Sequence, residues 1–361
     1  MRIPIENTER NNMSLESYNT HSNVISKLNK DIRQASKMMS KQEARFLVTA
    51  YYDMQKDRIR QNNRLFQATN SDQPHQSIQW LFDQSAILEK QVGKMLDYYS
   101  GANNVGMWMR ANKGIGPIIA AGFLSYIDIT RAPTAGRIWS YTGYVPDVSW
   151  GSAESNKTKI KENFPEWNLK PSTILSTEQV YVIMAFFNRN PENVFESFKD
   201  EETGDYNQIT FSDLATYLAR PPFNPGMKLL AWKVGESFVK VGGSEEPNYG
   251  HLVIRRKIYE KNKNERGEYA GLAKRLLEER NWDKNTVTYK ALVEGKLSDG
   301  YIHARAKRWA VKIFLSHLHH VMYVDHYGKL PPRPFALEHL GHVDYIPPFV
   351  PFEDFVTLKD N

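Results

Sequence analysis

Apolar residues recur at steps of three and four along most of this chain, the spacing that lines one face of an α-helix. Ile25, Leu28, Ile32, Ala35 and Met39 follow it at the start of a helical region spanning 22–67. Within that region Ser40 and Glu43 have the spacing of a capping box. A second helix therefore starts there and runs through Phe46, Ala50, Met54 and Ile59. Ile78, Leu81, Phe82, Ser85, Leu88, Val92 and Leu96 form a further stripe, which Ser100-Gly101 breaks. A short helix is predicted over 103–111. Another starts at Pro117, because proline suits a first helical turn whose amide would have no intrahelical partner. Thr134 is the N-cap candidate of the next helix, which ends near Gly143. Further helices are predicted at 178–188, 211–218, 227–239, 249–264, 270–280 and 301–326. The cluster Asn70-Ser71-Asp72-Gln73-Pro74 and the polar segment 146–175 read as loops. Residues 1–20 read as a disordered tail, and 329–361, rich in Pro, His and aromatics, as an irregular wrap. Few segments alternate with period two, so the predicted class is all-α, mainly helical, with little or no sheet.

The most informative segment is Lys113-Gly114-Ile115-Gly116-Pro117, followed by Ala120 and Ala121. Two glycines around one aliphatic residue allow a tight bend between helices, with positive φ available at no steric cost. Ile115 points back into the helix pair and holds the bend shut, while the alanines let the two helices approach. The amides of the bend, and the positive end of the helix that starts at Pro117, then face an anion such as a phosphate. This segment closely resembles the helix-hairpin-helix motif of DNA-binding proteins that contact backbone without reading bases. The competing interpretation is a tight turn inside a helical core, with no ligand.

The segments beyond the bend carry a wider resemblance. Ile127-Asp128-Ile129-Thr130-Arg131, then Thr134-Ala135-Gly136-Arg137-Ile138-Trp139-Ser140-Tyr141-Thr142-Gly143-Tyr144-Val145-Pro146, is similar to the C-terminal domain of bridge-RNA-guided insertion-sequence transposases. Ala304-Arg305-Ala306-Lys307-Arg308-Trp309-Ala310-Val311-Lys312 resembles the basic helix that closes that domain. The resemblance covers about residues 80–152 and 300–325. It implies DNA as partner, together with a structured RNA, and it implies a nucleophilic serine in the loop after the Gly-x-x-Pro stop, where this chain has Ser149 and Ser152. Such a serine needs its proton removed and the phosphorane charge stabilised. Arg137 suits the second task, and no residue is identified for the first. The chain departs from the family in two ways. The first hundred residues are helical, without the metal-holding carboxylate domain of RNase-H type that the family carries, and a long insertion separates the two matching pieces. The organisation read from this is a tail (1–20), an N-terminal helical region (21–101), a transposase-like core (102–152), a helical insertion (153–295), a basic helix completing the core (296–328) and a Pro/His-rich tail (329–361).

Charge narrows the partner further. The chain of 361 residues has a net charge of +6 and a pI of about 9.1, which favours a polyanion. No acid lies between Gly300 and Val324, where Arg305, Lys307, Arg308 and Lys312 are present and Arg305, Arg308, Lys312 and Ser316 share one helical face. An unopposed basic face suits a helix lying along phosphates. The helix at 249–264 carries Arg255, Arg256, Lys257, Lys261 and Lys263 against Glu260. It reads equally as a second phosphate-tracking surface or as an exposed helix balanced by Glu265, Glu268, Glu278 and Glu279. His317 and His320 have a spacing that can share a metal, but they fall on the apolar side of their helix, so buried, hydrogen-bonded histidines are expected and no metal site is assigned. Gly235–Gly243 lacks the spacing of a phosphate-binding P-loop.

Absence of cysteine excludes disulfides and thiolate chemistry and fits a reducing cytosol. Neither a secretory leader nor a run of ~18 apolar residues is present, so a soluble, cytoplasmic protein without membrane contact is expected. The expectation is a mobile-element- or phage-type DNA-binding protein. Its contacts are Lys113, Gly114, Ile115, Gly116, Arg137, Arg305, Lys307, Arg308 and Lys312, and its long N-terminal helices pair between copies. A serine-dependent recombinase and a purely structural helical protein stay open as alternatives, so whether the chain is an enzyme is undecided by sequence. Magnesium enters only through a carboxylate site that the sequence does not reveal, and no other cofactor is indicated.

Overall fold

The computed structural model describes residues 28–68, 76–145, 151–200, 202–332 and 346–356. Among them the chain is all-helical, with no strand and only two isolated bridges, Ile174 with Thr210 and Lys199 with Tyr206. The N-terminal part comprises α1 (Lys30–Lys37), α2 (Lys41–Ala68), α3 (Gln76–Gly101), α4 (Asn104–Ala111), α5 (Pro117–Tyr126) and α6 (Ala135–Tyr141). There follow α7 (Ala153–Asn163), α8 (Thr177–Phe186), α9 (Glu192–Ser197), α10 (Phe211–Leu218) and α11 (Pro225–Val241). The last are α12 (Tyr249–Glu265), α13 (Ala270–Glu279), α14 (Val287–Val293) and α15 (Asp299–Tyr327). The predicted loop at 70–74 and tail at 1–20 lie outside the described residues.

Local chemistry explains many of these boundaries. At the start of α2 the Ser40 amide donates to Glu43 Oε2 at 2.7 Å and the Glu43 amide to Ser40 Oγ at 3.2 Å. Ser298 caps α15, and Gly328 (φ 67°) ends it in the left-handed conformation. The segment 146–175, expected to be loop, differs. Ser152 accepts from the Ser155 amide at 3.2 Å and opens α7, which a Lys157–Glu154 pair at 2.7 Å supports. Only Ile160 of that helix is a buried large apolar residue, so there was no apolar period to detect. The helices α9 and α14 are too short to show one either.

The main core gathers α2, α3, α4, α5, α6, α11, α12 and α15. Phe314 of α15 lies at its centre, fully buried, with ring centroids 6.2 Å from Trp108, 5.6 Å from Phe123, 5.7 Å from Phe238 and 5.3 Å from Tyr249. Between α11 and α12 the backbones nearly touch. A Cβ on Gly250 would lie 2.3 Å from the Phe238 carbonyl oxygen, so this crossing requires glycine. The stretch read as one insertion therefore divides. Residues 225–253 belong to the main core, 160–218 hold a core of their own around Phe211 and Met184, and 269–302 form a third, smaller cluster. Residues 346–356 cross the main core without helix. Val350 accepts from Trp108 Nε1 at 3.0 Å, and Phe349 meets the Tyr249 ring edge-on at 5.0 Å.

His317 fastens that crossing. Its Nε2 donates to the Ile346 carbonyl at 2.8 Å, which leaves Nδ1 to accept from the Tyr249 hydroxyl at 2.7 Å. Burial pushes its pKa down to about 4. Burial also lowers His319 and His320. Between pH 6.5 and 4 the unfolded chain binds a proton at His317 that the folded chain refuses, so stability falls as pH drops through this window. We expect a loss of up to about 3 kcal/mol from His317. Melting temperatures at pH 7.5 and pH 4.5 measure it, and His317→Gln should flatten the dependence. An equally steep acid slope in that variant would refute the assignment.

Candidate nucleic-acid interface

The α4–α5 bend has two unlike sides. Asn112 ends α4 and its side-chain amide donates to the Trp108 carbonyl at 2.8 Å, while its own carbonyl accepts the Ile115 amide at 3.1 Å. Gly114 has φ +95°, a conformation closed to most side chains. Ile115 is buried in the main core at 5% exposure, holding the two helices together as expected. On the Gly114 side the bend leans on α11. Ser237 Oγ donates to the Gly114 carbonyl, and a Cβ on Gly114 would sit 3.2 Å from Val241 Cγ2. Gly116, in contrast, is exposed, and a Cβ there would meet nothing within 4 Å. It occupies the N-cap of α5 with Pro117 at the first position. The Ile118 and Ile119 amides of the first turn have no acceptor among the described residues.

This changes the roles expected from sequence. The Ile115 amide is spent on Asn112. Lys113 is tied to Ser244 Oγ at 2.6 Å and to Glu246 Oε2 at 3.0 Å, so a carboxylate already sits on the cation assigned to phosphate. The open donors belong to the Gly116 end of the bend.

The basic face of α15 is also opposed, by acids from other helices. Arg305 pairs with Glu260 of α12 at 2.7 Å, and Lys307 pairs with Glu236 of α11. Lys312 lies over the Trp139 ring at 4.3 Å, and burial lowers its pKa. Arg308 on α15 and Arg137 on α6 are exposed, with no carboxylate partner among the described residues. On α12, Arg256 also serves Glu260 at 2.6 Å, Lys261 pairs with Asp299 at 3.2 Å and Lys263 with Glu268 at 2.8 Å. Most of the charge read as phosphate-tracking is thus engaged inside the molecule.

An open groove of about 470 Å³ lies at the Gly116 end. Gly116, Ile118 and Ile119 line it from α5, Tyr51 and Tyr52 from α2, and Trp232, Lys233 and Lys240 from α11. Lys233 Nζ sits 3.9 Å from the Tyr52 ring centroid. Partial burial, and then the charge of Lys56, lower the Lys233 pKa. Neither Lys233 nor Lys240 pairs with a carboxylate among the described residues, and Glu236 on the groove wall is taken by Lys307. Sequence reasoning placed a helix here but missed its face. Lys228, Trp232, Lys233, Glu236 and Lys240, at helical spacing, were the available signal.

Of the two serine candidates, Ser149 lies outside the described residues. Ser152 is exposed and its hydroxyl caps α7, with no base bonded to it among the described residues. His317 has both ring nitrogens engaged, as its apolar setting suggested, whereas His320 Nε2 is buried with no hydrogen-bond partner among the described residues. Among the described residues no three His, Asp or Glu converge as metal ligands, and no helix is long and apolar enough to cross a membrane.

Glu260 tests the internal use of this charge. It is fully buried, and burial pushes its pKa up, but hydrogen bonds from Tyr269, Arg305 and Arg256 outweigh that and leave it lowered. Glu260→Ala should cost roughly 3 kcal/mol in urea unfolding, the lower end for a broken buried pair, because both arginines reach solvent. Unchanged stability would mean that these contacts do not form. No protein-family model matches the chain, and neither a search of curated proteins nor one of solved structures finds a relative. The functional reading therefore rests on this geometry and on the sequence motifs.

Proposed function

We propose that this protein binds nucleic acid by gripping phosphate at the α4–α5 bend, in the manner of a helix-hairpin-helix. One observation carries the reading. Gly114 turns the chain with positive φ and Ile115 locks the bend into the core, while Gly116 and the first turn of α5 stay open beside two lysines without carboxylate partners. Free amides at a helix N-terminus and nearby ammonium groups suit a phosphate. The contact set differs from the one read along the sequence. Gly116, Lys233 and Lys240 lead it, Arg137 and Arg308 supplement it, and Lys113, Arg305, Lys307 and Lys312 act mainly within the protein. The resemblance to bridge-RNA-guided transposases supports DNA as the partner, with a structured RNA beside it, and a mobile-element or phage setting. Self-association through α2 and α3 stays part of the proposal, since Phe46, Ile59, Ile78 and Leu81 on them are exposed.

Gly116 offers a clean test because substitution there meets no neighbour and the φ of −86° is ordinary. Asp and Asn are both good N-caps, so Gly116→Asp and Gly116→Asn should fold with unchanged or higher melting temperatures. They differ by one negative charge at the phosphate site. In fluorescence anisotropy with a labelled generic duplex at low salt, Gly116→Asp should weaken binding about ten-fold relative to Gly116→Asn. It should also flatten the salt dependence by about one phosphate contact. Equal affinities of the two variants, or failure of the unmodified protein to bind either duplex or single-stranded nucleic acid, would overturn the proposal.

A further inference from the structure

We infer that the groove beside Gly116 accepts an unpaired nucleotide, so that this protein prefers single-stranded nucleic acid, or a strand opened from a duplex, at this site. The inference rests on the phosphate reading of the bend and adds what lies next to the phosphate. A helix-hairpin-helix contact to duplex backbone needs donors and cations alone. Here the same groove carries three aromatic side chains, Tyr51, Tyr52 and Trp232, from two helices that flank the first turn of α5. Trp232 is 51% exposed although it is the largest apolar side chain on α11, and Lys307 Nζ lies 5.8 Å from its ring. Lys233 and Lys240, on the same face of α11, leave the groove cationic once Glu236 is neutralised by Lys307. Tyr51 and Tyr52 are half-buried, with Lys233 over the Tyr52 ring, so Trp232 is the ring open to a base. An exposed ring beside cations supplies the elements of single-strand binding, where bases stack on aromatics and the backbone follows the charge. A base inside a duplex has both faces covered by its neighbours and cannot stack on such a ring. The volume, about 470 Å³, is in the range of small-ligand pockets and open at the side, as a passing strand requires.

The experiment compares three fluorescein-labelled probes by anisotropy: a twelve-residue oligothymidine, a twelve-residue oligouridine and a generic duplex. The unmodified protein should bind at least one single strand more tightly than the duplex, and the two strands separate DNA from RNA. Trp232→Ala should lose about ten-fold in single-strand affinity, the order expected for one stacked base, with duplex affinity held within about two-fold. Trp232→Phe should restore most of the loss. Because the Trp232 side chain is half exposed, these variants are expected to fold, and melting curves check it. Duplex binding without a single-strand preference, or an equal loss on all three probes in Trp232→Ala, overturns this inference and leaves the phosphate reading standing. Failure of the unmodified protein to bind any probe overturns both.

Discussion

Phe314 is the constraint on which the rest of the structure depends. Its ring is shared by Trp108 of α4, Phe123 of α5, Phe238 of α11 and Tyr249 of α12. Aromatic pairs of this kind are worth about 0.5–1.5 kcal/mol each beyond the area that they bury, and their geometry, parallel with Trp108 and edge-to-face with the other three, fixes angles as well as distances. Both helices of the bend and the helix that supplies the lysines therefore refer to one buried ring. The open side of Gly116 and the outer face of α11 meet in a groove because their inner faces meet at Phe314.

Charge is organised by the same packing. A net charge of +6 could have been spread as one basic stripe on α15, yet that helix meets Glu236 and Glu260 from α11 and α12. Buried pairs of this sort contribute little net stability, because desolvation offsets most of the attraction, but they are costly to break and so fix how helices register. Glu260 shows the point, holding two arginines and a tyrosine between α12, α15 and the residue before α13. Lys233 and Lys240, two of the cations without a carboxylate partner among the described residues, line the groove. Electrostatics for a polyanionic ligand is set by these few groups more than by the total.

The residues between the bend and α15 serve two ends. Those from 160 to 218 close their own core and place no side chain on the groove, whereas α11 and α12 complete the core beneath it. A chain with α11 removed would lose the Ser237 bond to Gly114, the packing under Phe238 and both groove lysines together. The groove beside the bend thus exists only in combination with a helix more than a hundred residues later.

Much of the architecture was legible along the chain, because helix signals are local. The Ser40–Glu43 box and the extents of α10, α12 and α15 follow from caps and apolar period within a few residues. So did the bend, since glycine best tolerates the φ of Gly114 and an apolar residue suits the buried place of Ile115. Helix α7, with one large buried apolar residue, gave no period and read as loop. The partners of the cations were illegible for a different reason. A helical wheel shows which side chains share a face and says nothing of what faces them, and the acids that meet Arg305 and Lys307 stand 45 and 71 residues away. The sequence by itself determined an all-helical chain with a sharp glycine bend. Only the tertiary structure decided which side of that bend stays open and which charges remain to meet a ligand, because both depend on long-range contacts that no local pattern encodes.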